Sequence, residues 1–270
     1  MELIREAINK AKSSSDAQRN ASPLTPAALR SRPMPVETWP LPRVVLDATH
    51  LERQRIVSYA MTDPSHVAFN LLRTKVVKRM KGCGWKSLAI VSPTAGCGKT
   101  TVSINLALSI ARAGCRTVLL DLDLKKSAIA KTLGIEASAS IGHFLEGKSE
   151  PQQCFVQIGE NLIVGLNNRP VRFSSELLQD NKVEELLQGV MNAVRPDFVL
   201  FDLPPMLVSD DAIAFLPRAD CSLLVAGAGT TTAAEIDECE RQATAAGNFM
   251  GVILNKCELS RNEYYRYDRY

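Results

Sequence analysis

The sequence predicts an α/β fold in which a mostly parallel, doubly wound sheet is flanked by helices. The first observation is that short apolar runs alternate in strict order with helical patterns between residues 88 and 254. Such alternation implies right-handed crossovers and therefore parallel strands. The second observation is that the runs are apolar at nearly every position, as in strands that helices cover on both faces.

The elements follow one another in a regular order. Six apolar runs predict strands at residues 88–91, 117–120, 162–166, 198–201, 222–226 and 250–254. The patterns between them predict helices near residues 99–113, 126–133, 175–193 and 232–246. Gly114 is placed to end the first of these helices, and Thr232 with Glu235 predicts a capping box at the start of the last.

The region before the first strand divides into a predicted arm and a predicted helix. Six prolines between residues 23 and 42 prevent continuous helix or strand, although residues 1–12 have the spacing of a short amphipathic helix. Further on, an apolar stripe predicts a helix that ends near residues 82–84, and the residues of the stripe are Val67, Leu71, Leu72 and Val76. We therefore expect an arm (residues 1–60), a globular domain (61–256) and a tail (257–270).

Composition and charge narrow the class of function. A net charge of +3, with basic and acidic residues interspersed, does not predict a nucleic-acid-binding face. The seven cysteines form no C-x-x-C pair and are odd in number, which disfavours a zinc site or a disulfide framework and indicates reduced thiols in the cytoplasm. We also expect no membrane span, because no apolar stretch approaches about 18 residues.

A glycine-rich turn follows the first predicted strand and opens a helix. Residues 92–101 read SPTAGCGKTT, close to the P-loop pattern G-x-x-x-x-G-K-[ST], with Pro93 in place of the first glycine. Glycines let backbone N–H groups surround phosphate oxygens, Lys99 supplies a cation to the β and γ phosphates, and the Thr100 hydroxyl can bind Mg²⁺. The sequence therefore predicts an MgATP site, whose other contacts are Thr94, Ala95, Gly96, Cys97, Gly98 and Thr101.

Two further predicted strands end in acidic residues. Asp121 and Asp123 end one strand, and Asp202 ends another before a Pro-Pro turn, in the form of a Walker B element. Because parallel strands deliver their carboxyl ends to one crevice, these acids are expected near the phosphates, with Asp123 and Asp202 beside Thr100 at the metal. Asn255 ends the last strand, where its amide is placed either to bind the purine edge or to cap a turn.

Four of the five tyrosines fall in the last seven residues, at Tyr264, Tyr265, Tyr267 and Tyr270. With the P-loop, the segment DLDLKK at 121–126, FDLPP at 201–205 and LNK at 254–256, this cluster resembles the bacterial tyrosine kinases of capsule and exopolysaccharide production. The resemblance covers roughly residues 65–270. It implies an ATP-dependent autokinase that phosphorylates these four tyrosines, with Lys99, Asp121, Asp123 and Asp202 in catalysis and Asp121 as the base.

The resemblance also implies partners. Family members self-associate through a helix carrying Glu-x-x-Arg-x-x-Arg, and the matching positions here are Val67, Asn70 and Arg73, so only the last is kept. A separate membrane polysaccharide co-polymerase is expected to activate the chain and to recruit it to the inner face of the cell membrane. Lys125 stands where many members have arginine, which keeps the charge but loses the bidentate fork.

Two other functions fit part of these observations. The first is a MinD/ParA-like ATPase switch, although such proteins usually carry a signature lysine where this chain has Thr94. The second is a nucleotide-binding regulator of a polysaccharide export complex without kinase activity.

Overall fold

A computed structural model of the protein describes residues 39–257, and within them eight strands form one sheet. In chain order the strands are β1 (Arg43–Val44), β2 (Ser87–Val91), β3 (Thr117–Asp121), β4 (Phe155–Ile158), β5 (Leu162–Gly165), β6 (Phe198–Asp202), β7 (Cys221–Gly227) and β8 (Phe249–Asn255). Their order across the sheet is β1-β4-β5-β3-β6-β2-β7-β8. All neighbours are parallel except β4 and β5, so the predicted mostly parallel sheet is confirmed.

Ten α-helices surround this sheet in the described part of the chain. They are α1 (Ala48–Arg53), α2 (Val57–Ala60), α3 (His66–Cys83), α4 (Lys99–Arg112), α5 (Ile129–Leu133), α6 (Ile141–Leu145), α7 (Ser174–Gln179), α8 (Asn181–Val194), α9 (Asp211–Phe215) and α10 (Ala233–Ala246). Alternate strand residues face opposite helix layers; in β2, Leu88 and Ile90 join one apolar core and Ala89 and Val91 the other. Within residues 39–257, no helix is long and apolar enough to cross a membrane.

The folded domain begins earlier than the sequence predicts. The expected arm covers residues 1–60, but β1 pairs with β4, and the side chains of Leu51 and Ile56 are buried in the core. Prolines before residue 43 do not prevent this, because β1 is only two residues long and lies at the edge of the sheet. The expected helix over residues 1–12 and the tail beyond residue 257 lie outside the described residues.

Two predicted helices differ from the structure. The helix expected over 175–193 is two helices, because Asp180 is extended and caps α8 by accepting a hydrogen bond from the Lys182 backbone N–H at 2.8 Å. The helix expected from residue 126 begins at Ile129. At α10, the predicted capping box of Thr232 and Glu235 is present.

The apolar stripe predicted on α3 does not all face the core. Val76 is buried, but Val67 and Leu71 are about half exposed. At 100° per residue, Val67 lies on the side of the helix opposite Val76. Buried contact with the sheet is instead made by Val76 and Met80, which are one turn apart.

Candidate functional site at the carboxyl ends of the strands

The P-loop connects β2 to α4 through two glycines in the left-handed backbone region. Gly96 has φ 85° and Gly98 has φ 88°, a conformation that costs a side-chain-bearing residue energy. A Cβ atom built on Gly98 would lie 2.2 Å from the Asn255 amide nitrogen, whereas one on Gly96 would meet nothing within 4 Å. Gly98 is therefore required both by conformation and by the close approach of β8.

Asp202, at the end of β6, is bound by three side chains from the first turns of α4. Its two carboxylate oxygens accept hydrogen bonds from Lys99 Nζ at 2.9 Å, Thr100 Oγ1 at 2.7 Å and Ser103 Oγ at 2.9 Å. The carboxylate is fully buried and Lys99 is only 6% exposed. The predicted Walker residues thus meet, and Ser103 joins them as a residue that the sequence analysis did not select.

Asp121 ends β3 directly beside Asp202, its register partner on β6. Its carboxylate is fully buried, Oδ2 accepts the Ile129 backbone N–H at 3.2 Å, and Oδ1 has no hydrogen-bond partner among the described residues. Burial, reinforced by the negative charge of Asp202, raises the pKa of Asp121 to about 8. Asp121 therefore differs from Asp202 in having one buried carboxylate oxygen without a hydrogen-bond partner among the described residues.

Asp123 lies on the loop after β3 and approaches the same lysine. Its Oδ2 is 3.9 Å from Lys99 Nζ, and its Oδ1 accepts the Lys126 backbone N–H at 3.0 Å. Burial raises the pKa of Asp123 above its usual value, against the opposing charge of Lys99. Three carboxylates therefore lie near one lysine, an excess of negative charge that fits a divalent cation.

That cation would need ligands besides the protein. Among residues 39–257, no three His, Cys, Asp or Glu side chains are grouped to hold a metal by themselves. Mg²⁺ commonly binds through one or two carboxylates together with substrate phosphates and water. The donor set of Thr100, Asp123 and Asp202 beside the P-loop fits this mode.

Asn255 contacts the protein rather than standing free. Its Nδ2 donates a hydrogen bond to the Cys97 backbone carbonyl at 2.9 Å, which links the end of β8 to the P-loop. Cys97 is itself buried, and its thiol contacts the Thr94 carbonyl and Thr231 Oγ1. The bond to Cys97 gives Asn255 a structural role in holding the P-loop, while its contact with the purine edge stays a prediction.

Lys125 and the segment at α7 form a second polar cluster. Lys125 Nζ lies 3.0 Å from Oδ1 of the fully buried Asp211, while Ser174 Oγ donates to the other oxygen at 2.6 Å. Ser174 occupies the second oxygen, and Lys125 Nζ also donates to Ser209 Oγ at 3.4 Å, so the lysine links Asp211 to Ser209. Lysine on one oxygen and Ser174 on the other thus satisfy both oxygens of Asp211 without the bidentate contact that arginine would make.

Arg73, the only retained position of the self-association motif, is used within the subunit. Its guanidinium donates to Asn70 Oδ1 at 3.1 Å and to the carbonyl and hydroxyl of Ser109, both at 3.4 Å. Ser109 Oγ in turn donates to Asn70 at 3.1 Å. Asn70 and Arg73 therefore join α3 to α4.

Comparison with known proteins decides the family. Residues 85–232, more than half of the chain, match the family model described as an AAA domain. Over 203 residues the chain is 31% identical to tyrosine-protein kinase CpsD of Streptococcus pneumoniae serotype 4, a match that covers 73% of this chain and 86% of that protein. The chain belongs to the bacterial tyrosine-protein kinases.

Solved structures agree with this assignment. The kinase domain of the Escherichia coli tyrosine kinase ETK is 28% identical, with a TM-score of 0.70, and the match covers 76% of this chain and 81% of that one. The septum site-determining protein MinD of Pyrococcus horikoshii, complexed with Mg-ADP, is 19% identical with a TM-score of 0.54 over 67% of this chain and 76% of its own. The match to MinD shows only a shared fold, whereas the match to ETK agrees with membership of the tyrosine kinases. The four tail tyrosines lie outside the described residues.

Proposed function

We propose that this kinase binds MgATP in the P-loop and transfers the γ-phosphoryl group to its own tyrosines at positions 264, 265, 267 and 270. The proposal rests on the contacts of Asp202, whose carboxylate accepts hydrogen bonds of 2.7–2.9 Å from Lys99, Thr100 and Ser103. These contacts support the proposal because an acid in the Walker B position lies one hydrogen bond from Lys99 and Thr100, the residue types that bind phosphate and metal in a P-loop.

The site residues divide the work of phosphoryl transfer between them. Backbone N–H groups around Gly96 and Gly98 and the Lys99 ammonium would bind the phosphates, and Thr100, Asp123 and Asp202 would hold Mg²⁺. Bound Mg²⁺ neutralises charge that develops on the phosphate oxygens. Since such reactions depend mainly on positioning and charge neutralisation, this set supplies most of what transfer requires.

Asp121 is the proposed general base. A tyrosine hydroxyl has an unperturbed pKa near 10, and a base is most effective when its own pKa lies near the working pH. Burial raises the pKa of Asp121 to about 8, and its Oδ1 has no partner among residues 39–257. Asp121 is thus suited to accept the phenolic proton as the phosphorus–oxygen bond forms.

The tail begins at the site itself. Asn255 touches the P-loop, and the first acceptor, Tyr264, is nine residues further along the chain. Thirteen residues beyond Cys257 extend at most about 43 Å at roughly 3.3 Å per residue. That reach allows the tail of one chain to enter the site of a neighbouring copy, so we propose transfer in trans.

The biological setting follows from the same family. We propose that the kinase regulates capsule or exopolysaccharide synthesis and export, and that it acts in the cytoplasm beneath a separate membrane co-polymerase that activates it. Since Asn70 and Arg73 form hydrogen bonds inside the subunit, we propose that self-association depends on other residues of α3. A nucleotide switch of the MinD type has less support, because Thr94 occupies the signature-lysine position.

Incubation with γ-labelled ATP and Mg²⁺, followed by mass spectrometry of the C-terminal peptide, tests the proposal. We expect phosphate on the four tyrosines of phosphatase-treated wild type and none on Lys99→Met, while Lys131→Met, which alters an exposed lysine of α5, matches wild type. Phosphate release without labelled tyrosine would instead indicate an ATPase switch. Neither product, in the presence of the candidate co-polymerase, would indicate a nucleotide-binding regulator.

A further inference from the structure

The exposed side of α3 carries a concentration of positive charge. From Pro64 to Leu120 the sequence contains nine lysines and arginines and no aspartate or glutamate. Four of the cations lie in the second half of α3 and are exposed: Lys75, Lys78, Arg79 and Lys81, here termed the cationic face. Among residues 39–257 none of these four side chains is in an ion pair with an acid. The face is therefore available to an anionic ligand.

The cationic face adjoins an apolar groove and the last strand. Leu72, Lys75 and Arg79 line a groove of about 240 Å³ together with Met250 and Val252 of the edge strand β8. The groove thus offers apolar surface for aromatic rings directly beside two cations. Nearer the start of α3, Val67 and Leu71 are also exposed.

The direction of the elements brings the tail to this face. Since only three residues separate the end of α3 from the start of β2, its last turn lies at the amino edge of the sheet and its first turn at the carboxyl edge. β8 is parallel to β7 and β7 to β2, so Asn255 is also at the carboxyl edge. A tail running back along α3 meets residues 75–81 about 14–22 Å from the start of the helix at 1.5 Å per residue. At about 3.3 Å per residue, the chain beyond Asn255 can extend about 30 Å to Tyr264 and about 50 Å to Tyr270, so all four tyrosines can reach that range.

We propose that the phosphorylated tail of the kinase docks on the cationic face of its own α3. The inference rests on the proposed autophosphorylation. Before phosphorylation, residues 258–270 carry three acidic and three basic side chains, so these side chains have a net charge of zero (3 − 3). Four phosphates add about −1.5 to −2 charges each, so phosphorylation converts a neutral segment into a strongly anionic one. Docking then removes the acceptor tyrosines from the active sites and ends the reaction.

A synthetic peptide separates this inference from the kinase activity itself. The receptor is the full chain with all four tail tyrosines changed to phenylalanine, and the probe is fluorescent peptide 258–270 carrying four phosphotyrosines. We expect anisotropy to show salt-sensitive binding of this probe and at least about tenfold weaker binding of the unphosphorylated peptide. Equal binding of the two peptides would overturn the proposal, whatever the result of the labelling experiment.

Charge reversal then locates the site. Lys78→Glu should weaken phosphopeptide binding by about tenfold, Lys78→Gln by less, and Lys131→Glu, an exposed lysine on α5, not at all. Wild type phosphorylated on its own tail should bind the probe at least about tenfold more weakly than the phenylalanine receptor, because its face is occupied. Unchanged binding by either Lys78→Glu or phosphorylated wild type contradicts docking of the tail on its own α3.

A lipid surface is the other anionic partner that this face would fit. Flotation of the phenylalanine receptor with vesicles containing about one third phosphatidylserine tests it. If Lys78→Glu abolished vesicle binding but left phosphopeptide binding unchanged, the face would serve the membrane and the docking proposal would be rejected.

Discussion

Asp121 and Asp202 are register partners on the neighbouring parallel strands β3 and β6, and both carboxylates are fully buried. Lys99 donates a hydrogen bond to Asp202. Burial raises the pKa of Asp121, and the negative charge of Asp202 raises it further. The pair thus separates two identical side chains into different roles. Asp202 accepts hydrogen bonds from three side chains of α4, while burial brings the pKa of Asp121 into the range of the proposed general base.

The raised pKa of Asp121 predicts an unusual pH dependence of stability. Its pKa rises from 3.8 to about 8 on folding, so between these values the folded chain binds a proton that the unfolded chain has lost. Stability contributed by this group is therefore present below about pH 4 and is lost as pH rises through 8. At pH 8.5 the Tm of Asp121→Asn should be several degrees above that of wild type, since each kcal/mol of stability shifts Tm by about 2–4 °C. At pH 4.5 the two Tm values should be close. A difference in Tm between the two proteins that does not change with pH would contradict this. The control is Asp237→Asn, which alters an exposed aspartate of α10.

Lys99→Met should reduce stability as well as activity. The ammonium is buried and pairs with a fully buried carboxylate, and removal of one partner of such a pair costs about 3–5 kcal/mol. Thr100 and Ser103 still donate to Asp202, which places the expected loss at the lower end. Urea denaturation measures it, with Lys131→Met unchanged within about 0.5 kcal/mol. A Lys99→Met protein as stable as wild type would show that the pair contributes little.

Gly98→Ala and Gly96→Ala form a matched pair. Both glycines have positive φ, so each substitution carries a conformational cost of about 1–2 kcal/mol. Only the new methyl at position 98 collides with Asn255. Calorimetry should therefore show nucleotide affinity falling further in Gly98→Ala than in Gly96→Ala. Adding Asn255→Ala should restore part of the Gly98→Ala loss and none of the Gly96→Ala loss; a purely additive cycle would refute the collision.

Ser174→Ala should lower the free energy of unfolding by more than Ser175→Ala does. Ser174 donates to Asp211, whose carboxylate is fully buried, whereas Ser175 donates to the exposed Asp210 at 2.9 Å. Loss of a hydrogen bond to a buried charge costs about 1.5–3 kcal/mol, compared with less than about 1 kcal/mol at the surface. Chemical denaturation of the two variants measures the difference. Equal losses would mean that Lys125 alone satisfies Asp211.

Local patterns in the sequence were sufficient for the alternating architecture. The apolar runs around β2, β3 and β6 and the capping box at Thr232 are local signals, so their positions follow from the residues themselves. Short elements were not predictable in the same way. β1 has two residues, and β4 is stabilised by pairing on both sides with β1 and β5, which no local pattern contains.

The sequence by itself determined that phosphate-binding glycines, one lysine and acids at strand ends would meet at one edge, because parallel strands deliver their carboxyl ends together. Only the tertiary structure decided how they meet. It brings Ser103 to Asp202 across 99 positions, raises the pKa of Asp121 through complete burial, and turns Val67 and Lys78 away from the core. These properties depend on strand order and on the rotation of a helix about its axis, which are set by packing between residues distant in the chain.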